Sequence, residues 1–141
     1  MQLRKKGYID ALTAVGLFDD SKILDLDYLH SENERIEMIS AFLKATSEID
    51  AVLFGANYLL IAGLQSFMKL NIKIPTDKAV ISFDDHDSFR LHSPAITVLA
   101  QPIEEMAKKA VKLLMIQMND VSNHIIVKEK ESGSLIIRES V

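Results

Sequence analysis

The 141-residue sequence contains no cysteine and no tryptophan, and only three prolines, five glycines and three tyrosines. Without thiols, neither a disulfide framework nor a thiolate metal site can form, which a cytoplasmic home allows. No window reaches the ~20 apolar residues of a membrane span, and no apolar stretch follows the charged Met1 to Lys6, so no export leader is expected. Basic residues are outnumbered: 16 Lys and Arg against 20 Asp and Glu leave a formal net charge of -4. That balance supplies no basic face for a phosphate backbone and argues against direct nucleic-acid binding by these residues. Gly55 and Gly63 lie too far apart for a Rossmann or Walker phosphate loop, and no G-x-S-x-G elbow occurs. His30, His92 and His124 have no i, i+4 partner. These absences exclude thiolate-metal sites, glycine-rich phosphate loops and a Ser-hydrolase elbow, and neither a cofactor nor a metal is expected.

What remains is ordinary globular composition, 48% hydrophobic and 26% charged, in a chain long enough for one domain with a real core. Two apolar runs, Ala51 to Gly55 and Ala79 to Phe83, each end abruptly in polar residues, Asn57 after one and Asp84-Asp85 after the other. Buried strands of parallel sheets read this way, and open α/β sheets place ligands just beyond the carboxyl ends of such strands. Helical periodicity runs from Leu3 to Val15 with Gly16 as its stop, and Ser31-Glu32-Asn33-Glu34 fits a capping box opening a helix with Ile36, Ile39, Phe42 and Leu43 on its stripe. Ile23 to Tyr28 alternates as an outer strand would. The helix after Asn57 is apolar on more than one side, which predicts cover on both faces. Asp84 to Pro94 reads as a loop and Ile96 to Leu99 as a short strand. A helix from Pro102 to Met118 carries Ile103, Met106, Val111, Leu114 and Met118 inward, and strands follow at Ile125 to Lys130 and Leu135 to Arg138. The alternation predicts a parallel sheet flanked by helices.

The densest polar cluster is Asp84-Asp85-His86-Asp87. Adjacent side chains leaving a strand point to opposite faces, so four consecutive residues rarely converge on one ion. Binding of a polar small molecule by one aspartate is the stronger reading, beside loop solvation and helix capping. Asn57 has two candidate roles, capping a helix and offering an amide to a hydroxylated ligand. Gln101 is comparable, and Arg4 by itself reads as a surface cation.

From Asp50 to Ser140 several pieces occur together: Ala56-Asn57, a helix with Gly63, Ile74-Pro75-x-Asp77, Phe83-Asp84-Asp85, Pro94…Thr97…Gln101-Pro102 and Arg138-Glu139-Ser140, with Arg4-x-x-Gly7-Tyr8 upstream. In these the chain resembles the carboxy-terminal half of bacterial transcription regulators of the lactose/galactose repressor family. The resemblance implies the second lobe of a type I periplasmic-binding-protein-like core, in a fragment lacking the helix-turn-helix headpiece and most of the first lobe. Residues 1–101 would form the carboxy-terminal subdomain, 102–122 a crossover helix belonging to the first lobe, and 123–141 the terminal strands at the lobe junction.

The same resemblance implies a non-enzymatic, cytoplasmic, homodimeric repressor that senses a sugar or sugar acid and meets operator DNA only through its headpiece. Position by position it makes Arg4, Asn57, Asp84 and Gln101 effector contacts and Tyr28 an aromatic that stacks on the ligand. Ala62, Ser66 and Phe89 become the candidate dimer surface, and Asp85 a holder of its own loop. Tyr58, where the family commonly has an acidic residue, and Ala100, where a basic one is frequent, depart from the pattern. The rival reading is a periplasmic-type sugar-binding protein, or a small α/β enzyme working from the Asp84/Asp85/His86 rim.

Overall fold

A computed structural model describes residues 2–119 and 127–141. Its helices are α1 (Gln2–Ala14), α2 (Glu32–Ala45), α3 (Asn57–Leu70), a short α4 (Asp87–Leu91) and α5 (Ile103–Asn119). Four strands, β1 (Ala51–Phe54), β2 (Ala79–Phe83), β3 (Thr97–Ala100) and β4 (Ser134–Ile136), form one sheet in that spatial order. The β1/β2 and β2/β3 pairs are parallel and β4 runs antiparallel to β3. The fold class is therefore the expected one, α/β with a mostly parallel sheet.

Local signals fix most of the boundaries. Ser31 and Glu34 make both halves of the capping box at the start of α2. Ser31→Ala should cost about 1 kcal/mol, read as a lowered midpoint in urea with unchanged slope. Asn71 closes α3 in the left-handed conformation, φ 56°, as a short polar side chain permits. Gly63 has a packing reason: a Cβ there would lie 2.2 Å from the Phe54 ring, so only glycine lets α3 settle onto β1.

The core lies between the sheet, α3 and α2, with Leu60, Val80, Ile96 and Val98 fully buried. Helix α2 lies against part of the second side of α3, where Ser66 Oγ donates to the Ile36 carbonyl at 3.0 Å, while Met68 of α3 stays 79% exposed. This corrects the expected dimer surface. Ala62 is 1%, Ser66 0% and Phe89 2% exposed, so packing inside this chain, rather than a partner, takes up their faces.

Several other expectations change. Ile23 to Tyr28 forms no strand: residues 23–27 are irregular and belong to no ladder, and β1 is the sheet edge. Its alternation reflects Leu24 and Leu26 packing against the core, which needs one buried face and no ladder. Asn57 is the first residue inside α3 while Ala56 occupies the cap position without a side-chain bond. The loop after Asp84 contains α4, capped by His86. Of the strand expected at Ile125 to Lys130, residues 125 and 126 lie outside the described residues, as does His124, and 127–130 are irregular. The final strand ends at Ile136, and beyond it the Arg138 N–H donates to Thr97 Oγ1 at 2.8 Å. The residues expected to face inward from α5 are open to solvent, with Ile103 63% and Met118 69% exposed, and α1 buries no residue. No helix among the described residues is long and apolar enough to cross a membrane.

Candidate functional site

Parallel pairing of β1 and β2 brings their carboxyl ends side by side, and the chain places a polar group at each. Gly55 follows β1 and presents its carbonyl, and Asp84 follows β2. The Asp84 backbone sits in the left-handed region, φ 68°, with its N–H donating to the Leu99 carbonyl at 3.0 Å. That conformation is uncommon outside glycine but tolerated best by Asp and Asn. It turns the carboxylate off the strand line at the rim.

Two distant segments converge there. From α1, Arg4 Nη1 donates to the Gly55 carbonyl at 2.7 Å, and its guanidinium stands 3.5 Å from both Asp84 oxygens and 4.3 Å from the centre of the Phe83 ring. From beyond β3, Gln101 Nε2 donates to Asp84 Oδ1. The Arg4 and Asp84 side chains are 27% and 29% exposed, neither sealed in nor free. At 3.5 Å the Arg4–Asp84 contact lies at the limit of a hydrogen bond, so both groups keep capacity for a third partner. A carboxylate accepts at about four lone-pair sites, and beside a guanidinium it can take hydroxyl donors while the cation serves acceptors.

Asp85, one residue on, faces elsewhere. Arg138 grips it with two parallel bonds, 3.0 and 2.8 Å, and Arg90 Nε donates to it at 3.1 Å. The hydrogen bond from Arg138 lowers the Asp85 pKa against opposing burial, with Arg90 assisting. Arg138 also donates to the Ile96 carbonyl at 2.8 Å, so the loop after β2 is tied to the terminal segment. His86 is occupied with Ser88, 2.8 Å from its Oγ. Asp84, Asp85 and His86 thus serve three different sets of partners, and nothing in this geometry makes them a catalytic rim.

Of the residues singled out in the sequence, Arg4, Asp84 and Gln101 come together. Asn57 is exposed, its Oδ1 accepting from the Tyr58 N–H at 2.7 Å, and it lies on the same rim two residues past Gly55. Tyr28 stands apart in the turn before α2 and meets Tyr58 edge to face at 5.6 Å. Sequence reading missed the Gly55 carbonyl, which carries no residue-type signal. It also missed Phe83, which the alternation of β2 could have assigned to the Arg4 side.

The periplasmic binding protein-like domain family matches residues 1–141, the whole chain. The chain belongs to that family. Relatives of this periplasmic binding protein-like domain include the helix-turn-helix transcriptional regulator RegA of Clostridium saccharobutylicum, 26% identical over 97% of this chain and 41% of its own length. The transcriptional repressor PurR of Photobacterium profundum is 25% identical over 98% of this chain and 41% of its own length. Among solved structures, a LacI-family transcriptional regulator from Sanguibacter keddieii superposes with a TM-score of 0.82 at 28% identity, over 99% of this chain and 52% of that one. The chain thus spans about two fifths of the length of these curated relatives. The resemblance read from the sequence motifs holds.

Proposed function

We propose that this domain is the effector-sensing part of a bacterial DNA-binding transcription regulator, a repressor, that responds to a sugar or sugar acid. The observation that carries the reading is the meeting of Arg4, Asp84 and Gln101, three segments distant in sequence, at the carboxyl rim of β1 and β2. Asn57 adds an amide on the same rim. A carboxylate, a guanidinium and amides within reach of one another match the paired donors and acceptors of a polyol. Related folds give this chemistry further support: one solved relative is a CelR–cellobiose complex and another carries bound sucrose.

In this reading the protein is not an enzyme and works in the cytoplasm as a homodimer, through surfaces other than the self-buried Ala62, Ser66 and Phe89. Operator DNA is met by a separate headpiece, since a chain of net charge -4 offers no phosphate footprint. Effector binding shifts the lobe arrangement by its differential affinity for two states, a coupling of about 1–3 kcal/mol. A thermal-shift screen of sugars and sugar acids against the full-length protein tests this. An effector present at ~100 times its Kd should stabilise by about 2.7 kcal/mol. No shift from any member of the panel, or the same shift in Arg4→Met, would sink the reading.

A further inference from the structure

A cavity of about 340 Å³ opens beside the polar cluster and shares two of its residues. Phe83, whose ring carries the Arg4 guanidinium at 4.3 Å, lines it, and so does Gln101, which donates to Asp84. Leu99, Pro102 and Met106 supply an apolar wall, and Glu131 is the one ionisable side chain on it among the described residues. Small ligands bind in hollows of this size that combine apolar walls with a few placed polar groups.

The terminal segment brings Glu131 there. Ser134 of β4 pairs with Ala100 of β3, and a Cβ on the preceding Gly133 would come within 2.8 Å of the Ala100 carbonyl oxygen. Glycine lets the chain pass this close, which carries Glu131, two residues earlier, onto the cavity wall. Its side chain is 22% exposed, withdrawn enough from water for its field to reach a neighbouring ligand.

Charges around the cavity and the cluster do not balance. Lys109 of α5 pairs with Glu131 and, at 3.2 Å, with Glu129. Hydrogen bonds to Glu131 first and Glu129 second raise the Lys109 pKa, so that cation is committed. Arg4 keeps hydrogen-bonding capacity, but Asp84 neutralises its charge. Lys112, a turn further along α5, lines a separate hollow with Glu129. Among the described residues, two cations at this place thus face three carboxylates, Asp84, Glu129 and Glu131. A ligand carboxylate meets an excess of its own sign. A ligand hydroxyl instead donates to a carboxylate, which accepts at several lone pairs.

We infer that Glu131 is a specificity determinant that makes this site select an uncharged sugar over the corresponding sugar acid. This rests on the reading of Arg4, Asp84 and Gln101 as effector contacts. The carboxylate acts through its field on a ligand held by the cluster, and Lys109 tempers that field. Neutralising the one and removing the other therefore move the preference in opposite directions, which a merely structural tie between α5 and the terminal segment would not do.

Isothermal titration of the full-length protein with glucose, galactose and cellobiose beside glucuronate, galacturonate and cellobionate tests this. At least one uncharged probe should bind about tenfold or more tightly than its acid. Glu131→Gln should bring that ratio to within about threefold by strengthening the acid, while Lys109→Met should widen it. In the wild type the preference should shrink between about 0.1 and 1 M salt, as the screening length falls from ~10 to ~3 Å. Equal affinity for sugar and acid, or a ratio that both variants leave unchanged or shift the same way, would overturn the inference while leaving the polar-cluster reading intact. No binding of any probe would count against both.

Discussion

Arg138→Met should destabilise the domain by about 3 kcal/mol, a fall of roughly 10 °C in Tm for a chain of this size. Arg138 and Asp85 are only 14% and 10% exposed at their side chains and meet through two parallel bonds. Deleting one partner of so enclosed a pair leaves a desolvated charge behind. Arg90 remains on Asp85 but is 57% exposed, which holds the loss near the lower end of the range for buried pairs. The variant also frees the Ile96 carbonyl, a further cost for a buried acceptor. Urea titration checks the magnitude.

The pH dependence carries its own sign. The folded-state pKa of Asp85 is depressed, chiefly by the Arg138 hydrogen bond. Its contribution is therefore complete above the ordinary value near 3.8 and is lost as pH falls through the lowered folded value. Arg138→Met should flatten that acid limb. An equally steep limb in the variant would show that other carboxylates control it.

The second large effect falls on binding. Asp84→Asn should weaken effector binding by about 100-fold, since hydrogen bonds to a charged group carry ~1.5–3 kcal/mol and a tenfold change is ~1.4. Asn replaces one acceptor oxygen with an NH2 donor, which faces the donating Nε2 of Gln101 and the Arg4 guanidinium. Folding should scarcely change, because Asn is among the residues that tolerate the left-handed backbone seen at Asp84, φ 68°. Asp84→Ala is the contrast: it loses the acceptor and adds ~1–2 kcal/mol of backbone strain. Comparing the two separates recognition from conformation.

Strands and caps were legible where chemistry is local. Ser31 and Glu34 announce a capping box by spacing alone, and Ala79 to Phe83 announces a buried strand by its apolar run. Legibility failed where an outcome depends on what lies across from a residue. The alternation of Ile23 to Tyr28 is real, but Leu24 and Leu26 obtain burial from the core without a neighbouring strand. The two-sided apolarity of α3 called for cover on both faces without saying by what, and α2 lies against the side that carries Ser66. At the site, the juxtaposition of Arg4, 80 residues from Asp84 in sequence, is set by tertiary structure. The motifs that carry the family resemblance made it legible, and spacing alone did not.

The most direct measurement of the central claim is an operator gel shift with the full-length protein, with and without a sugar effector found by thermal shift, run beside Asp84→Asn. The account predicts that wild type releases operator on adding effector, while Asp84→Asn binds operator equally well and stays bound at the same effector concentration. Release by Asp84→Asn at the same concentration as wild type would contradict it.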